Sequence, residues 1–338
     1  MCTSLLFKTT DNRPLYGRTM EFGVELHGQG FFTPRGFTST CTGINGNPGR
    51  TWSAQYAIAG MNALGMNSFT DGMNEKGLTG GIFYFAGFAE YTDPNCADPA
   101  KAMAPWELLS WLLGNFETVA DVKAAIQEVE VIGVIHEAFG FVPPFHYSLH
   151  DATGESIVLE PTGGQLVVYD NPFGVLTNSP GFPWHLTNLR NYVKLSPENQ
   201  DSALFGAHTI QSLGQGSGWL GLPGDPTPPS RFIRALAFSL TAERKPHGIE
   251  SVRQVEHIMN NFDIPRGEIR EEAGSDYTQW TSIADIDSKI YYVKSSGHPN
   301  LRHISLNDQN LTASAPTVFP LFPDLSTHPL TPQSSLES

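Results

Sequence analysis

The chain opens M-C-T-S-L-L-F (1–7) and, past D-N-R-P (11–14), returns as L-Y-G-R-T-M-E-F-G (15–23). Two β-prone runs around a turn rich in Asp, Asn and Pro read as a hairpin, Thr3–Thr9 against Leu15–Phe22. Cysteine is the second residue. Loss of Met1 would leave a residue with both a thiol and an α-amine, whose reference pKa values are about 8.5 and 7.7–8.0. Such a thiol brings its own proton acceptor. A working site of this kind also needs a cation beside the thiolate, a carboxylate to orient the amine and donors for an oxyanion. Arg18 and Glu21 stand on the returning strand. A turn centred near Asn12–Arg13 predicts Cys2 opposite Gly23, with Glu21 nearby. Positions 18 and 21 differ in parity, so a flat hairpin points them to opposite faces. A bulge or strong twist is then expected to bring both to the sulfur.

The 338 residues are 40% hydrophobic and 16% charged, which suits a folded core. Twenty basic against 34 acidic residues give a formal charge of −14. That balance repels phosphate backbones and anionic lipids, so neither nucleic acid nor a membrane surface is an expected partner. An anionic substrate would need a local cationic pocket. Cysteines at 2, 41 and 96 are too few and too far apart for a disulfide scaffold or a zinc site. The start lacks a signal-peptide pattern, and the longest apolar stretch, W-E-L-L-S-W-L-L-G (106–114), is far short of a membrane span. The expected location is cytoplasmic.

Beyond the hairpin, Trp52–Ala59 and Gly77–Phe85 read as strands, and Pro105–Asn115 and Val119–Val129 as helices. Strands return at 146–151, 156–161 and 165–170. A Gly- and Pro-rich loop covers about 196–230. Arg231–Ala242, capped by Ser230, and Val252–Asn260 read as helices, and Tyr277–Ile283, Lys289–Lys294 and His303–Leu306 as strands. This alternation predicts an α+β architecture of sheet and helix layers. No repeat or linker divides the chain, so one domain is expected over 1–311, with a Pro/Ser-rich tail over 312–338.

M-C-T-S with R-T-M-E resembles the start of the choloylglycine hydrolase family, which includes penicillin V acylases and bile salt hydrolases. The resemblance continues in family order through D-G-M-N-E-K-G-L (71–78), L-T-N-S-P (176–180), W-H-L-T-N-L-R-N-Y (184–192) and G-L-P-G-D-P-T-P-P-S-R-F-I-R (221–234). It implies an αββα four-layer sandwich, the N-terminal-nucleophile hydrolase fold, acting without metal or cofactor on a linear amide. By the same resemblance Cys2 is nucleophile and, through its amine, base. Arg18 stands beside the thiol, Asn178 is the oxyanion-hole asparagine, Arg231 is the second active-site arginine, and Tyr84 contributes a backbone N–H to the oxyanion hole. Met20 and Phe22 flank the catalytic strand. The segments 59–66, with Met61 and Leu64, and 139–145, with Phe139 and Phe141, face the substrate entrance. The loop at about 188–224 resembles a segment through which related acylases form homotetramers.

Glu21 departs from the family, which usually has aspartate there. One extra methylene displaces an amine contact by about an ångström, and a misplacement of that size costs on the order of 100-fold in rate. Tyrosine at 84, rather than asparagine, resembles penicillin V acylases and suits a flat acyl group. The expected function is therefore a cysteine amidohydrolase of the penicillin V acylase kind. The alternatives are a conjugated bile salt hydrolase, an N-acyl homoserine lactone acylase, or a binding protein weakened in catalysis on the same fold. G-S-G-W-L-G (216–221) fits a dinucleotide pattern but runs into L-P-G-D-P, which opens no helix. H-Y-S-L-H (146–150) puts two histidines on one face of a strand without a third ligand, and they read as ordinary histidines rather than a metal site.

Overall fold

The structure, a computed structural model, describes residues 1–271 and 274–321. The opening hairpin forms as β1 (Cys2–Lys8) and β2 (Pro14–Phe22), with Cys2 opposite Met20 and Ser4 opposite Arg18. The register expected from a turn at Asn12–Arg13, with Cys2 opposite Gly23, is corrected here. Thr9 N–H donates to Arg13 O (3.1 Å) and Arg13 N–H to Thr9 Oγ1 (2.8 Å), which clamps a tighter turn over 10–12. Asn12 takes the left-handed conformation that this turn requires (φ 67°).

The second sheet holds β3 (Gly30–Thr33), β4 (Ile58–Met61), β5 (Asp71–Asn74), β6 (Thr79–Tyr84), β7 (Phe145–His150), β8 (Ser156–Thr162) and β9 (Gln165–Asp170). The chain then returns to the first sheet as β10 (Gly274–Asp285), β11 (Ile290–Ser295) and β12 (His298–Ser305), and ends with β13 (Thr317–Phe319) on the edge of the second. The first sheet runs β1-β2-β10-β11-β12 and the second β9-β8-β7-β6-β5-β4-β3-β13, every pairing antiparallel.

Helices α1 (Leu108–Asn115) and α2 (Val119–Ala125) lie on the second sheet, where Leu108, Leu109, Leu112, Leu113, Val119 and Val122 pack against Leu78, Leu149 and Leu159. A short helix, α3 (Phe182–Asn188), follows the L-T-N-S-P segment. Helices α4 (Pro228–Thr241) and α5 (Ile249–Met259) cover the outer face of the first sheet. Gly17 on β2 lets α5 approach, since a Cβ there would lie 2.7 Å from Val255. The layers are helix, sheet, sheet, helix: the αββα sandwich of an α+β protein.

Several expectations shift in detail. Trp52–Ala59 is not one strand: Pro48–Ser53 pairs with Thr38–Thr42 in a small separate hairpin, and Ile58 begins β4. Gly77 (φ 100°) turns the chain, so β6 starts at Thr79. Helix α4 starts at Pro228 rather than Arg231, because two prolines suit a first turn. Ser230 is therefore inside the helix, its hydroxyl donating to Asp225 (2.6 Å). The stretch after Thr312 includes β13, while 322–338 of the expected tail lies outside the described residues. No helix among the described residues is long and apolar enough to cross a membrane.

Between the sheets His150 faces Tyr16, ring centroids 4.8 Å apart, with Ser148 and Ser156 hydroxyls each 2.6 Å from a ring nitrogen. Burial lowers its pKa from 6.5 to about 3. Above pH 6.5 the ring is neutral folded and unfolded alike; below it the unfolded chain takes up a proton that the native ring refuses. Stability therefore falls as pH drops from 6.5 towards 3. Denaturant titration at pH 7 and pH 5 is expected to show a loss of about 2 kcal/mol from this group. His150→Gln is expected to flatten that dependence, whatever it does to absolute stability.

Candidate active site

The observed register decides where each side chain goes. Cys2, Ser4 and Leu6 share one face with Met20, Arg18 and Tyr16, the face turned to the second sheet. Cys2 and Arg18 thus meet without bulge or unusual twist: Arg18 Nη2 lies 3.2 Å from the Cys2 sulfur, and Met20 Sδ 3.8 Å from it. Arg18 is fully buried, with Nη1 donating to Thr70 O (2.8 Å) and Nη2 to Ile82 O (3.1 Å), and its guanidinium 4.9 Å from the Phe83 ring centre. Its counter-charge is Asp71 on β5, 3.5 Å away and also fully buried. Burial opposes the charge on Arg18, but Asp71 and then Cys2 outweigh it and hold the pKa above the ordinary arginine value. Asp71 is itself held by Ser282 (2.5 Å), Trp280 Nε1 (3.4 Å) and the Tyr291 hydroxyl, all from the first sheet.

The opposite face of the hairpin carries Glu21, and the expectation that it reaches the sulfur is corrected. Glu21 Oε1 accepts from Thr278 (2.8 Å), while Oε2 is buried without a hydrogen-bond partner. Burial pushes the Glu21 pKa up, against the pull of the chain's α-amine and of Arg231. The neighbouring strand is bulged at this point: Thr278 pairs with Glu21 and Trp280 with Met20, leaving Gln279 as the extra residue. Gln279 spends its amide on Leu26 N–H (2.9 Å), Phe22 O (3.1 Å) and Val24 O (2.7 Å), fixing the loop that leaves β2.

The backbone of Cys2 lies between these faces. Its N–H donates to Asn178 Oδ1 (2.9 Å), which also accepts from Arg231 Nη2 (2.7 Å). Arg231, on α4, donates further to Cys2 O (2.5 Å), Thr3 Oγ1 (2.7 Å) and Pro226 O (2.7 Å). Burial lowers its pKa to about 10, which leaves it charged at neutral pH. Asn178 Nδ2 donates to Tyr84 O (2.8 Å), so the two oxyanion-hole candidates touch. Met1 precedes this cluster, its α-ammonium donating to Glu21 O (2.7 Å) and Asp276 Oδ2 (3.2 Å).

An apolar cavity of about 50 Å³ ends at Cys2, with Met20, Phe22, Leu64, Tyr84, Phe139 and His136 in its wall. A larger hollow of about 330 Å³ adjoins it at Met1, lined by Phe22, Tyr84, Phe139, Phe141 and Asp276. Phe22 packs on Tyr84 (5.9 Å) and on Phe139 (5.5 Å), so these rings partition the two spaces. Met61 does not join them. It ends β4 and is fully buried in the core between the sheets, because the first three residues of the 59–66 segment are strand rather than loop.

Sequence reasoning assigned no role to Asp71, although D-G-M-N-E-K-G-L contains it, nor to two histidines behind Asn178. His146 on β7 has Nδ1 3.2 Å from Glu160 Oε1 and Nε2 3.3 Å from Thr177 O, and stacks on Phe85 at 4.2 Å. His185 Nε2 lies 2.9 Å from Asn178 O, with its ring stacked on Phe232. One buried ring thus joins the residue after Tyr84 to the residue before Asn178. The only sequence signal was their occurrence in H-Y-S-L-H and W-H-L-T-N, and the partners that give them meaning are distant in the chain. Burial makes the Arg18–Asp71 pair unforgiving. Asp71→Asn strands a buried guanidinium and is expected to cost about 3–5 kcal/mol in urea denaturation. Asp287→Asn, which breaks the exposed pair with Arg13 (2.8 Å), is expected to leave stability within error; similar small losses in both would contradict the assignment.

Among known proteins, the family model described as linear amide C–N hydrolases, choloylglycine hydrolase family, matches residues 2–319. The bile salt hydrolase/transferase of Clostridium perfringens is 36% identical over 317 residues, covering 92% of this chain and 94% of that protein. The penicillin V acylase of Pectobacterium atrosepticum is 25% identical over 333 residues, 91% of this chain and 82% of that one. A solved mutant of the conjugated bile acid hydrolase from Clostridium perfringens superposes with TM-score 0.87 at 31% identity, covering 98% of this chain and all of the other. The sandwich is thus the N-terminal-nucleophile hydrolase fold, and the chain belongs to the choloylglycine hydrolase family of linear amide hydrolases.

Proposed function

We propose that this amidohydrolase works through Cys2 after loss of Met1, on amides joining a compact apolar acyl group to a polar amine. The observation that carries the reading is the thiol, 3% exposed, lying 3.2 Å from Arg18 at the end of an apolar cavity. Arg18 favours the thiolate by charge, and the α-amine of Cys2 takes the thiol proton. The thiolate attacks the amide carbonyl. Asn178 and the Tyr84 backbone N–H stabilise the oxyanion, and Arg231 holds Asn178 and the Cys2 carbonyl in place. The C–N bond breaks as the ammonium protonates the departing amine, and water then releases the acid from the thioester. Glu21 Oε2, a buried acceptor with no hydrogen-bond partner, takes the amine once Met1 is gone.

The cavity at Cys2 supports a flat aryl group over a steroid. About 50 Å³ is far below the roughly 300–1,000 Å³ that drug-sized ligands occupy. Penicillin V, giving phenoxyacetate and 6-aminopenicillanic acid with the β-lactam ring intact, is the favoured substrate. Conjugated bile salts are the second reading, favoured by the 36% identity to a bile salt hydrolase/transferase. They require the Phe22–Tyr84–Phe139 partition to open and merge the two spaces.

The hairpin Ala203–Phe205 with His208–Ile210 is exposed throughout, and Leu213 beyond it is fully exposed, which supports burial of this arm in a homotetramer. Three unpaired cysteines suit a reducing compartment and the cytoplasmic reading.

Side-by-side hydrolysis of penicillin V and glycocholate by the Met1-free protein tests the assignment. Turnover of penicillin V is expected to exceed that of glycocholate and to fall to background in Cys2→Ala. A preference for glycocholate would overturn the acyl-group reading and leave the mechanism standing; Cys2-independent turnover would overturn the mechanism. Sedimentation is expected to show a tetramer, and a monomer would refute the role of the arm.

A further inference from the structure

The wall of the cavity at Cys2 is mostly hydrocarbon and carries one imidazole, that of His136. His136 is 7% exposed, its ring edge-on to Trp106 (4.7 Å) and tilted against Phe139 (4.6 Å). Its backbone is fixed by a tight turn, with His136 N–H donating to Phe141 O (3.0 Å) and His136 O accepting from Phe139 (3.1 Å) and Gly140 (2.8 Å). Nδ1 accepts the Ala138 backbone N–H at 3.2 Å, so the neutral ring carries its proton on Nε2. Burial lowers the His136 pKa below its ordinary value, which keeps the ring neutral near pH 7. Nε2 faces the sulfur of Met66 at 3.1 Å, and a thioether is a weak acceptor. Of the other residues in the wall with a polar group, Thr70 donates its hydroxyl to Met61 O (3.0 Å), and Ser68, Tyr84 and Trp106 complete the set.

Cys2 and His136 line one cavity of about 50 Å³, room for roughly four waters, so an acyl group that fills it from Cys2 meets His136. We propose that His136 selects the acyl group by donating its Nε2 proton to an oxygen one or two atoms beyond the scissile carbonyl, so that aryloxyacetyl amides are preferred to their all-carbon counterparts. The proposal rests on Cys2 being the nucleophile. Its physical basis is asymmetric: a site with a buried donor loses more from a substrate that leaves the donor unpaired than it gains from added hydrocarbon.

The test compares phenoxyacetyl and 3-phenylpropanoyl amides of 6-aminopenicillanic acid, the ether oxygen replaced by a methylene, in wild type, His136→Leu and His136→Gln. The α-oxygen also activates the carbonyl chemically, but equally in every protein, so the informative quantity is the kcat/KM ratio of the two substrates compared across variants. The ratio is expected to be about 10-fold larger in wild type than in His136→Leu, with His136→Gln, which keeps an N–H donor, in between. An unchanged ratio in His136→Leu would overturn the proposal and point to Ser68 or to carbonyl chemistry. Product inhibition of the wild type is independent of any variant's folding: phenoxyacetate is expected to inhibit several-fold more tightly than 3-phenylpropanoate, and equal inhibition would overturn the proposal. Absence of Cys2-dependent turnover of both amides would instead defeat the nucleophile reading on which it rests.

Discussion

The charge on Arg18 is the constraint around which the two sheets are fitted. A guanidinium with no solvent contact is tolerated only if its donors and its charge are matched, because an unpaired buried charge is far more costly than a buried apolar group. The carbonyls of Thr70, just before β5, and of Ile82 on β6 accept its hydrogen bonds, Asp71 balances its charge, and Asp71 is in turn tied to Ser282, Trp280 and Tyr291 of the first sheet. A polar bolt thus crosses the interior of the sandwich, and the soft, polarisable partners left to Arg18 are the sulfurs of Cys2 (3.2 Å) and Met20 (3.7 Å) and the Phe83 ring.

The antiparallel register then separates two chemical tasks. Side chains at even positions of the hairpin place thiol and guanidinium between the sheets, and odd positions place Glu21 and Thr3 towards the helices, where Arg231 is. The Cys2 nitrogen, in the plane of the strand, is accessible to groups of the second set. The sulfur and the backbone nitrogen of Cys2 therefore sit in different environments while belonging to one residue. Glu21 shows what this arrangement costs. A carboxylate buried with one oxygen unpaired lowers stability at neutral pH, since its raised pKa means that stability is lost as pH rises through it. Under the proposed mechanism that oxygen gains its partner when the Cys2 amine is exposed.

Much of this was legible because the hairpin is local. Turn chemistry at D-N-R-P and the β-prone flanks specify the pairing, and period two separates Arg18 from Glu21. The register was not legible: it depends on a side chain-to-backbone clamp between Thr9 and Arg13 that no residue pattern announces. The helices of the αββα layers followed from their apolar spacing, with α4 misplaced by a turn because Pro228 and Pro229 read as loop. Asp71, His146 and His185 escaped because their meaning is tertiary. Asp71 matters only through Arg18, 53 positions earlier, and His146 only through Glu160 and Thr177. Met61 was assigned to the entrance because a loop was expected where β4 ends.

The central claim is that the proton acceptor for Cys2 is its own α-amine. It is tested most directly by expressing the chain with a protease-removable leader before Cys2 and following amide hydrolysis as the leader is cut. The account predicts no turnover while the amine is acylated, and activity rising in proportion to the fraction of chains beginning at Cys2, as read by intact mass. Full activity with the leader or Met1 still attached would contradict it and require another base at the thiol.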